Sequence, residues 1–358
     1  MVEAEAEPQK RTANEIYTLQ RFLFMTLDPV HVGAGGYRLG RVDMTIAREP
    51  GTNLPKIPGT SLAGAARSYA AMRYGRPEAA GQHAGLQKTA GTNDRYECPI
   101  LYTFGTTSDS GGGQAGSVSI GDARIVLFPV TSVEGPVWVS TPEILKDAGF
   151  TIAGNESPPT DEQIVTSLQQ NVSATPPAGQ QNPGASDDHI NLGWLMFKAQ
   201  RGLTVTPKKT LEEEWPLISG RIALVTPKLF PQIVNSNLEV RTSVSIDPNT
   251  GAAAKGALFT YEAIPRATWL FCDIVEDRYL DLVGEGKEFP KTKQQYKTDS
   301  KKHREGPLFP NNESWDSPLA VVRAGLKLIE FLGVGGMGTR GFGRMKLITD
   351  WSVEGGES

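Results

Sequence analysis

Cysteine is almost missing from these 358 residues: Cys98 and Cys272 are the only two, and the four histidines stand far apart at positions 31, 83, 189 and 303. This excludes a disulfide framework and a Cys-rich zinc site built by the chain alone, and it suits a reducing cytoplasm. Long apolar runs are lacking as well. No stretch approaches the roughly 20 residues that cross a bilayer, and the opening MVEAEAEPQKRTANEIY has no apolar centre of a signal peptide. The expectation is a soluble, cytoplasmic protein that does not engage a membrane. Positive charge is not in excess either: 36 Lys and Arg stand against 40 Asp and Glu, a net charge of −4. A protein that coats nucleic acid by bulk charge is thereby excluded, so any nucleic-acid contact must be local.

What is present is enough apolar material, 39% of the chain with 8% aromatics, to bury a sizeable core. Glycine and proline gather in two stretches with little apolar period, 75–116 and 154–190, which read as exposed insertions. Between them, Leu19–Pro29 and Ser117–Val130 read as strands. Thr60–Tyr74 reads as a helix with Leu62, Ala65, Ala66, Tyr69 and Met72 on one face, Thr60 or Ser61 as N-cap and Gly75 past its end. A short strand follows at Arg221–Val225, a short proline-opened helix at Pro227–Val234, a second strong helix at Ser317–Leu332 and a closing strand at Phe342–Ile348. Leu238–Asp247 and Lys255–Tyr261 flank PNTGAAA, the turn chemistry of a long hairpin, and the hairpin carries few large residues near its loop, so it projects. Strands and helices intermixed without regular βα alternation predict an α+β domain on an antiparallel sheet with helices on one face.

Charge is uneven. Residues 32–76 carry +5, 291–304 carry +5 and 335–346 carry +3, which leaves −17 on the remainder and predicts a basic face on an acidic body. The first and third of these segments are glycine-rich. Gly333–Gly343 reads GVGGMGTRGFG between a helix and a strand, a composition that lets backbone N–H groups converge on an anion, with Arg340 and Arg344 beside it. No Gly-Lys-Ser/Thr follows, and helix-then-loop is the wrong order for a dinucleotide fingerprint. His31–Asp43 reads HVGAGGYRLGRVD and lies close in sequence to the N-terminus of the Thr60 helix, an end able to receive a phosphate.

HVGAGGYRLGRVDMTIAREPGTNLPKIPGTSLAGAAR, the Phe104-Gly105 pair, SVSIGDARIVLFPV, GALFTYEAIP and GGMGTRGFG together resemble the backbone subunit of type III-B (Cmr-type) CRISPR effectors, in the RAMP superfamily. The resemblance runs from about Phe22 to Leu347. It implies a modified RRM-like (ferredoxin-like) core over 19–350 with a projecting thumb hairpin at 235–262, an N-terminal extension at 1–18 and a tail at 351–358. It implies copies of the chain stacked along a guide crRNA, target RNA cut beside each thumb in a metal-dependent reaction, and further subunits, among them a large polymerase-like one and small ones. Carried over by motif, Asp43 is the cleaving aspartate and a ligand for Mg²⁺ or Mn²⁺, with His31, Tyr261 and Glu262 beside the scissile phosphate. Arg38, Arg41, Lys56, Ser61, Arg67, Gly335, Gly336, Met337, Gly338, Arg340 and Arg344 would hold RNA.

The chemistry leaves choices open. An aspartate with an ordinary pKa near ~3.9 is a weak base at neutral pH, so Asp43 suits a metal ligand or a group that positions a 2′-hydroxyl better than a sole base. His31 is either an acid–base group or a structural donor, Tyr261 either packs or reacts, and Glu262 is equally a salt-bridge partner for Arg266. Asp122 reads as a structural residue at a strand end. Two other readings remain: a non-catalytic RNA-binding scaffold, and a stand-alone RNA-processing enzyme that uses His31.

Overall fold

Phe22, Leu23 and Phe24 are consecutive and all fully buried, which a strand manages only when both faces of its sheet are covered. The computed structural model describes residues 16–34, 42–81, 98–106, 113, 115–154, 158–169, 188–278, 289–290, 292–293 and 314–353. In chain order these form β1 (Tyr17–Thr26), β2 (Lys56–Ile57), α1 (Gly59–Tyr74), α2 (Pro99–Phe104), β3 (Val118–Ile120), β4 (Ala123–Ser132), β5 (Gly135–Ser140) and α3 (Pro142–Asp147). There follow β6 (Thr151–Gly154), β7 (Gln163–Thr166), β8 (His189–Leu192), β9 (Leu195–Arg201), β10 (Leu203–Thr206), α4 (Trp215–Ile218), β11 (Ile222–Leu224) and α5 (Phe230–Ser236). The last are β12 (Glu239–Ile246), β13 (Ala253–Ala263), β14 (Trp269–Asp277), β15 (Thr292–Lys293), β16 (Ser314–Trp315), α6 (Pro318–Leu332) and β17 (Met345–Ser352). None of the described helices is long and apolar enough to cross a membrane.

The main sheet runs β17-β1-β14-β4-β5-β11-β7-β9-β8. Its leading strands pair antiparallel, β1 between β17 and β14, and β14 also with β4. With α1 between β1 and β4, and α6 between β14 and β17, this order is compatible with the expected RRM-like core. Side chains alternate across it. Phe22, Phe24, Leu270, Cys272 and Ile274 pack with Leu62, Ala66, Val322, Leu326 and Ile329 of the two long helices. Leu23, Trp269 and Phe271 belong to a second cluster with Trp138, Phe150, Trp215 and Trp351. The long helices therefore share one face, as expected, while α3, α4 and the β6–β10 pair cover the other.

Several local expectations are corrected. Within 75–116, α2 is buried and packs with Ala70, Ala71 and Trp315. Within 154–190, β7 is a buried strand paired with β11 and β9. Both apolar runs are too short to show a period inside polar sequence. The stretch 82–97, with His83, lies outside the described residues, as do 170–187, His303 and most of the lysine-rich run 291–304. α5 starts at Phe230 with Pro231, not Pro227, in its first turn. β17 continues to Ser352 with Trp351 buried, so the tail begins later than expected.

α1 starts at Gly59 and has no side-chain cap of its own; neither Thr60 nor Ser61 fills that role. Instead Asp122, at the β3–β4 junction, accepts the Gly59 N–H at 2.8 Å and pairs with Lys56. Burial raises the Asp122 carboxyl, and the hydrogen bonds from Lys56 and Gly59 more than offset it, leaving its pKa below the usual value. The helix end read as a phosphate receptor thus already holds a carboxylate. Met72 is 56% exposed and does not share the buried face.

The α1–α6 contact is close enough to require a glycine: a Cβ on Gly325 would lie 2.1 Å from the Ala66 carbonyl oxygen. Gly64, in α1, has open space around it. Gly325→Ala is expected to destabilise the protein by about 1–3 kcal/mol, whereas Gly64→Ala should stabilise it by roughly 0.5–1 kcal/mol through helix propensity alone. Denaturant midpoints of the two variants should move in opposite directions.

Candidate active site at the root of the hairpin

β12 and β13 pair only with each other among the described strands, and Val240, Val244 and Leu258 along them are 45–67% exposed. The hairpin therefore projects, as its sequence predicts. Its root is fastened to the chain that leaves β1: Ile264 bridges Val30, and Tyr261 bridges Met44. The ends of the glycine-rich loop are pinned together by the Gly33–Ile46 bridge and the Ala34 N–H to Thr45 O bond of 3.1 Å. Arg38 and Arg41, inside that loop, lie outside the described residues.

Asp43 emerges from this junction as an exposed carboxylate. Its Oδ2 accepts the Thr260 N–H at 2.6 Å and the Thr260 hydroxyl at 3.0 Å. The Thr260 backbone N–H, then its hydroxyl, hold the Asp43 carboxyl below its usual pKa. It is ionised at neutral pH and a weak base there.

Glu262 is not an open acid. Arg48 grips both its oxygens at 2.6 and 2.8 Å, and Oε1 also accepts the Ile46 N–H at 2.9 Å. Its partner is therefore Arg48, not Arg266, and the pair clamps residues 46–48 against β13. His31 is buried, with Nδ1 2.7 Å from the Glu262 carbonyl oxygen. A carbonyl only accepts, so Nδ1 carries the proton and a neutral ring has its free lone pair on Nε2. This burial withdraws support from a stand-alone enzyme built on His31. Tyr261 is buried too: its hydroxyl lies 3.0 Å from Ser243 Oγ, and its ring packs edge-on to Phe342 and His31. Of the four expected catalytic residues the fold brings all to one place, but only Asp43 faces solvent.

The glycine loop closes on the same place. Gly335, at φ +85°, approaches so near that a Cβ would sit 2.5 Å from His31 O, and the Gly336 N–H donates to that oxygen at 2.9 Å. Several loop N–H groups are thus satisfied internally rather than aimed at an anion, Arg340 N–H to Met337 O among them. Met337, itself at φ +64°, packs beside Tyr261 and Phe342. Ser61 from α1 meets Gly335 and Gly338 across a groove of about 390 Å³ lined also by Thr60, Ser68 and Tyr69.

Of the six expected RNA-holding cations four are described, and three of those are already engaged. Arg67 is buried and donates to the Ala79 and Gly81 carbonyls. Lys56 pairs with Asp122, and Arg344 forks onto Asp28. The Arg344 hydrogen bond lowers the Asp28 carboxyl. Arg340 has no carboxylate partner among the described residues and lies over the Phe259 ring, 5.3 Å from its centroid. Arg340 is thus the one expected RNA-holding cation whose guanidinium is left without a carboxylate or carbonyl partner among the described residues, while most of the charge of 291–304 lies outside them. Sequence reasoning missed Arg48, Thr260, Phe259 and Phe342, because nothing in single-sequence spacing ties residues near 45 to residues near 260.

The described donor set does not amount to a metal site. No three His, Cys, Asp or Glu side chains come together among the described residues. Asp43 is one carboxylate with Oδ1 unused, and Glu262 is consumed by Arg48. Calorimetric titration of the protein with Mg²⁺ or Mn²⁺ in the absence of RNA should show no micromolar binding. Arg48→Met, which strands a buried carboxylate, is expected to cost about 3–5 kcal/mol. Lys228→Met, at the exposed Lys228–Asp161 pair, should leave the midpoint of the same denaturation assay almost unchanged.

The chain is 28% identical over 262 residues, 69% of its length and 77% of the relative's, to the CRISPR system Cmr endoribonuclease Cmr4 of Pyrococcus furiosus. It superimposes on a chain of the cryo-EM structure of type III-B Cmr-beta bound to cognate target RNA with TM-score 0.54 and 14% identity, over 92% of this chain and 96% of that one. The crystal structure of oligomeric Cmr4 from Pyrococcus furiosus gives TM-score 0.51 and 20% identity over 94% and 99% of the two chains. At those identities the structures establish the fold. A RAMP superfamily model matches from residue 23 to residue 346, and the chain belongs to that superfamily.

Proposed function

We propose that this chain is the backbone subunit of a type III-B CRISPR ribonucleoprotein, an endoribonuclease that binds guide crRNA and cuts target RNA at Asp43, working in the cytoplasm. The observation that carries the reading is one ionised, exposed carboxylate fixed at the root of a projecting hairpin. The endoribonuclease name of the Pyrococcus furiosus relative supports it. Its partners would be the two RNAs, further copies of itself, a large polymerase-like subunit and small subunits. Ser61, Gly335, Gly338 and Arg340 line the face open to the guide, with small side chains and one cation suited to a sugar-phosphate backbone.

The reaction is internal transesterification. The 2′-oxygen bonds to phosphorus, the bond from phosphorus to the 5′-oxygen breaks, one proton leaves the 2′-hydroxyl and one reaches the 5′-oxygen. Asp43 is too acidic to be an efficient base at neutral pH, so its part is to accept a hydrogen bond from the 2′-hydroxyl and hold that oxygen in line. The hairpin, by displacing a target nucleotide, supplies the backbone turn that in-line attack needs. A divalent cation such as Mg²⁺ or Mn²⁺, when bound, would be held among the described residues by Asp43 Oδ1 and would stabilise the charge that develops on the phosphate. His31, Tyr261 and Glu262 act beneath the site by fixing the hairpin root to the Asp43 segment and the glycine loop.

Asp43→Asn keeps the shape and removes the charge. In the assembled complex it should reduce target cutting by at least about 100-fold while guide and target binding stay unchanged in gel-shift assays. Cutting at the wild-type rate would leave a scaffold role as the better account.

A further inference from the structure

An aspartate at the end of a glycine-rich loop ordinarily samples several χ1 rotamers. Asp43 does not have that freedom, because a single residue contacts it at four points. The Thr260 N–H and hydroxyl both donate to Oδ2, at 2.6 and 3.0 Å. In return the Asp43 N–H is shared between Thr260 O at 3.1 Å and Thr260 Oγ1 at 3.2 Å. One hydroxyl thus bridges the backbone and the carboxylate of the same residue. Among the described residues Thr260 is the only other residue that hydrogen-bonds that carboxylate; the remaining donor is the N–H of Asp43 itself.

We propose that Thr260 is a positioning residue for RNA cleavage: by occupying Oδ2 it fixes the Asp43 side chain and leaves Oδ1 as the oxygen presented to the target ribose. The inference rests on the reading of Asp43 as the cleaving residue. The hairpin register gives it a direction. Thr260 lies opposite Thr242, and the next pair on the same face toward the tip is Val244 with Leu258, both exposed. Thr260 therefore stands on a face of the hairpin that is open to solvent toward the tip. The Glu262–Arg48 pair on the other side of Tyr261 holds Ile46 and Arg48, so the segment carrying Asp43 is tied down on both sides of its bridge to β13.

The variants follow from side-chain shape. Thr260→Val is isosteric and β-branched, so it suits the strand and deletes only the hydroxyl. Thr260→Ser keeps the hydroxyl and deletes the methyl. Both are compared with wild type and Asp43→Asn in complexes assembled on guide RNA, measuring target affinity and the single-turnover rate at saturating complex. Thr260→Val is expected to leave affinity unchanged and slow the saturated rate by roughly 10- to 100-fold, and Thr260→Ser to recover most of that rate. A wild-type rate in Thr260→Val, equal slowing in both variants, or slowing matched by lost affinity overturns the positioning role. Full cutting by Asp43→Asn overturns the underlying reading instead, and the two failures are distinguished because Asp43→Asn is assayed beside them.

Discussion

The site depends on one stretch of backbone pairing, the contact between Thr260–Glu262 of β13 and Asp43–Ile46. Each of those three β13 residues holds a different piece. Thr260 anchors the carboxylate, Tyr261 packs between His31 and the glycine loop, and Glu262 binds Arg48 through its side chain and His31 through its carbonyl. Because strand residues alternate, the two polar anchors fall on one side and the aromatic ring on the other. A hairpin that is otherwise unsupported is thereby rooted in the core, and the groups that meet it inherit its position.

Burial separates the one acidic group of the site that is open to solvent from those held inside it. Glu262 and His31 are polar groups withdrawn from water, and each is matched by a partner of opposite character, a forked guanidinium for one and a carbonyl acceptor for the other. Asp43 is left in water, with its charge stabilised by a backbone N–H and a hydroxyl. The same accounting applies to the cations. Lys56, Arg67 and Arg344 are engaged by Asp122, backbone carbonyls and Asp28, which leaves Arg340, over Phe259, as the expected RNA-holding cation without such a partner among the described residues.

The glycines of the C-terminal loop fit this picture in a way their number alone does not reveal. Gly335 and Gly343 are where backbones touch, against His31 O and Val334 O, and the loop follows the chain leaving β1 because no Cβ intervenes. Their first service is to bring α1, the loop and the hairpin root together. The groove between Ser61 and Gly338 is a by-product of that closeness.

The amino-acid order by itself determined the α+β class, the two long helices, the projecting hairpin and the gathering of Asp43 with residues near 260, the last through family motifs rather than spacing. Those features are written locally, in apolar period, turn residues and caps, or in words the family shares. Only the tertiary structure decided that Asp122 caps α1, that Glu262 answers Arg48, that β7 and α2 belong to the core, and that Thr260 holds Asp43. Each of these joins residues far apart in the chain, through hydrogen bonds and ion pairs or, for α2, through apolar packing. Such pairs leave no periodic trace in a sequence, because the energy that selects them appears only when the sheet has already brought the two strands side by side.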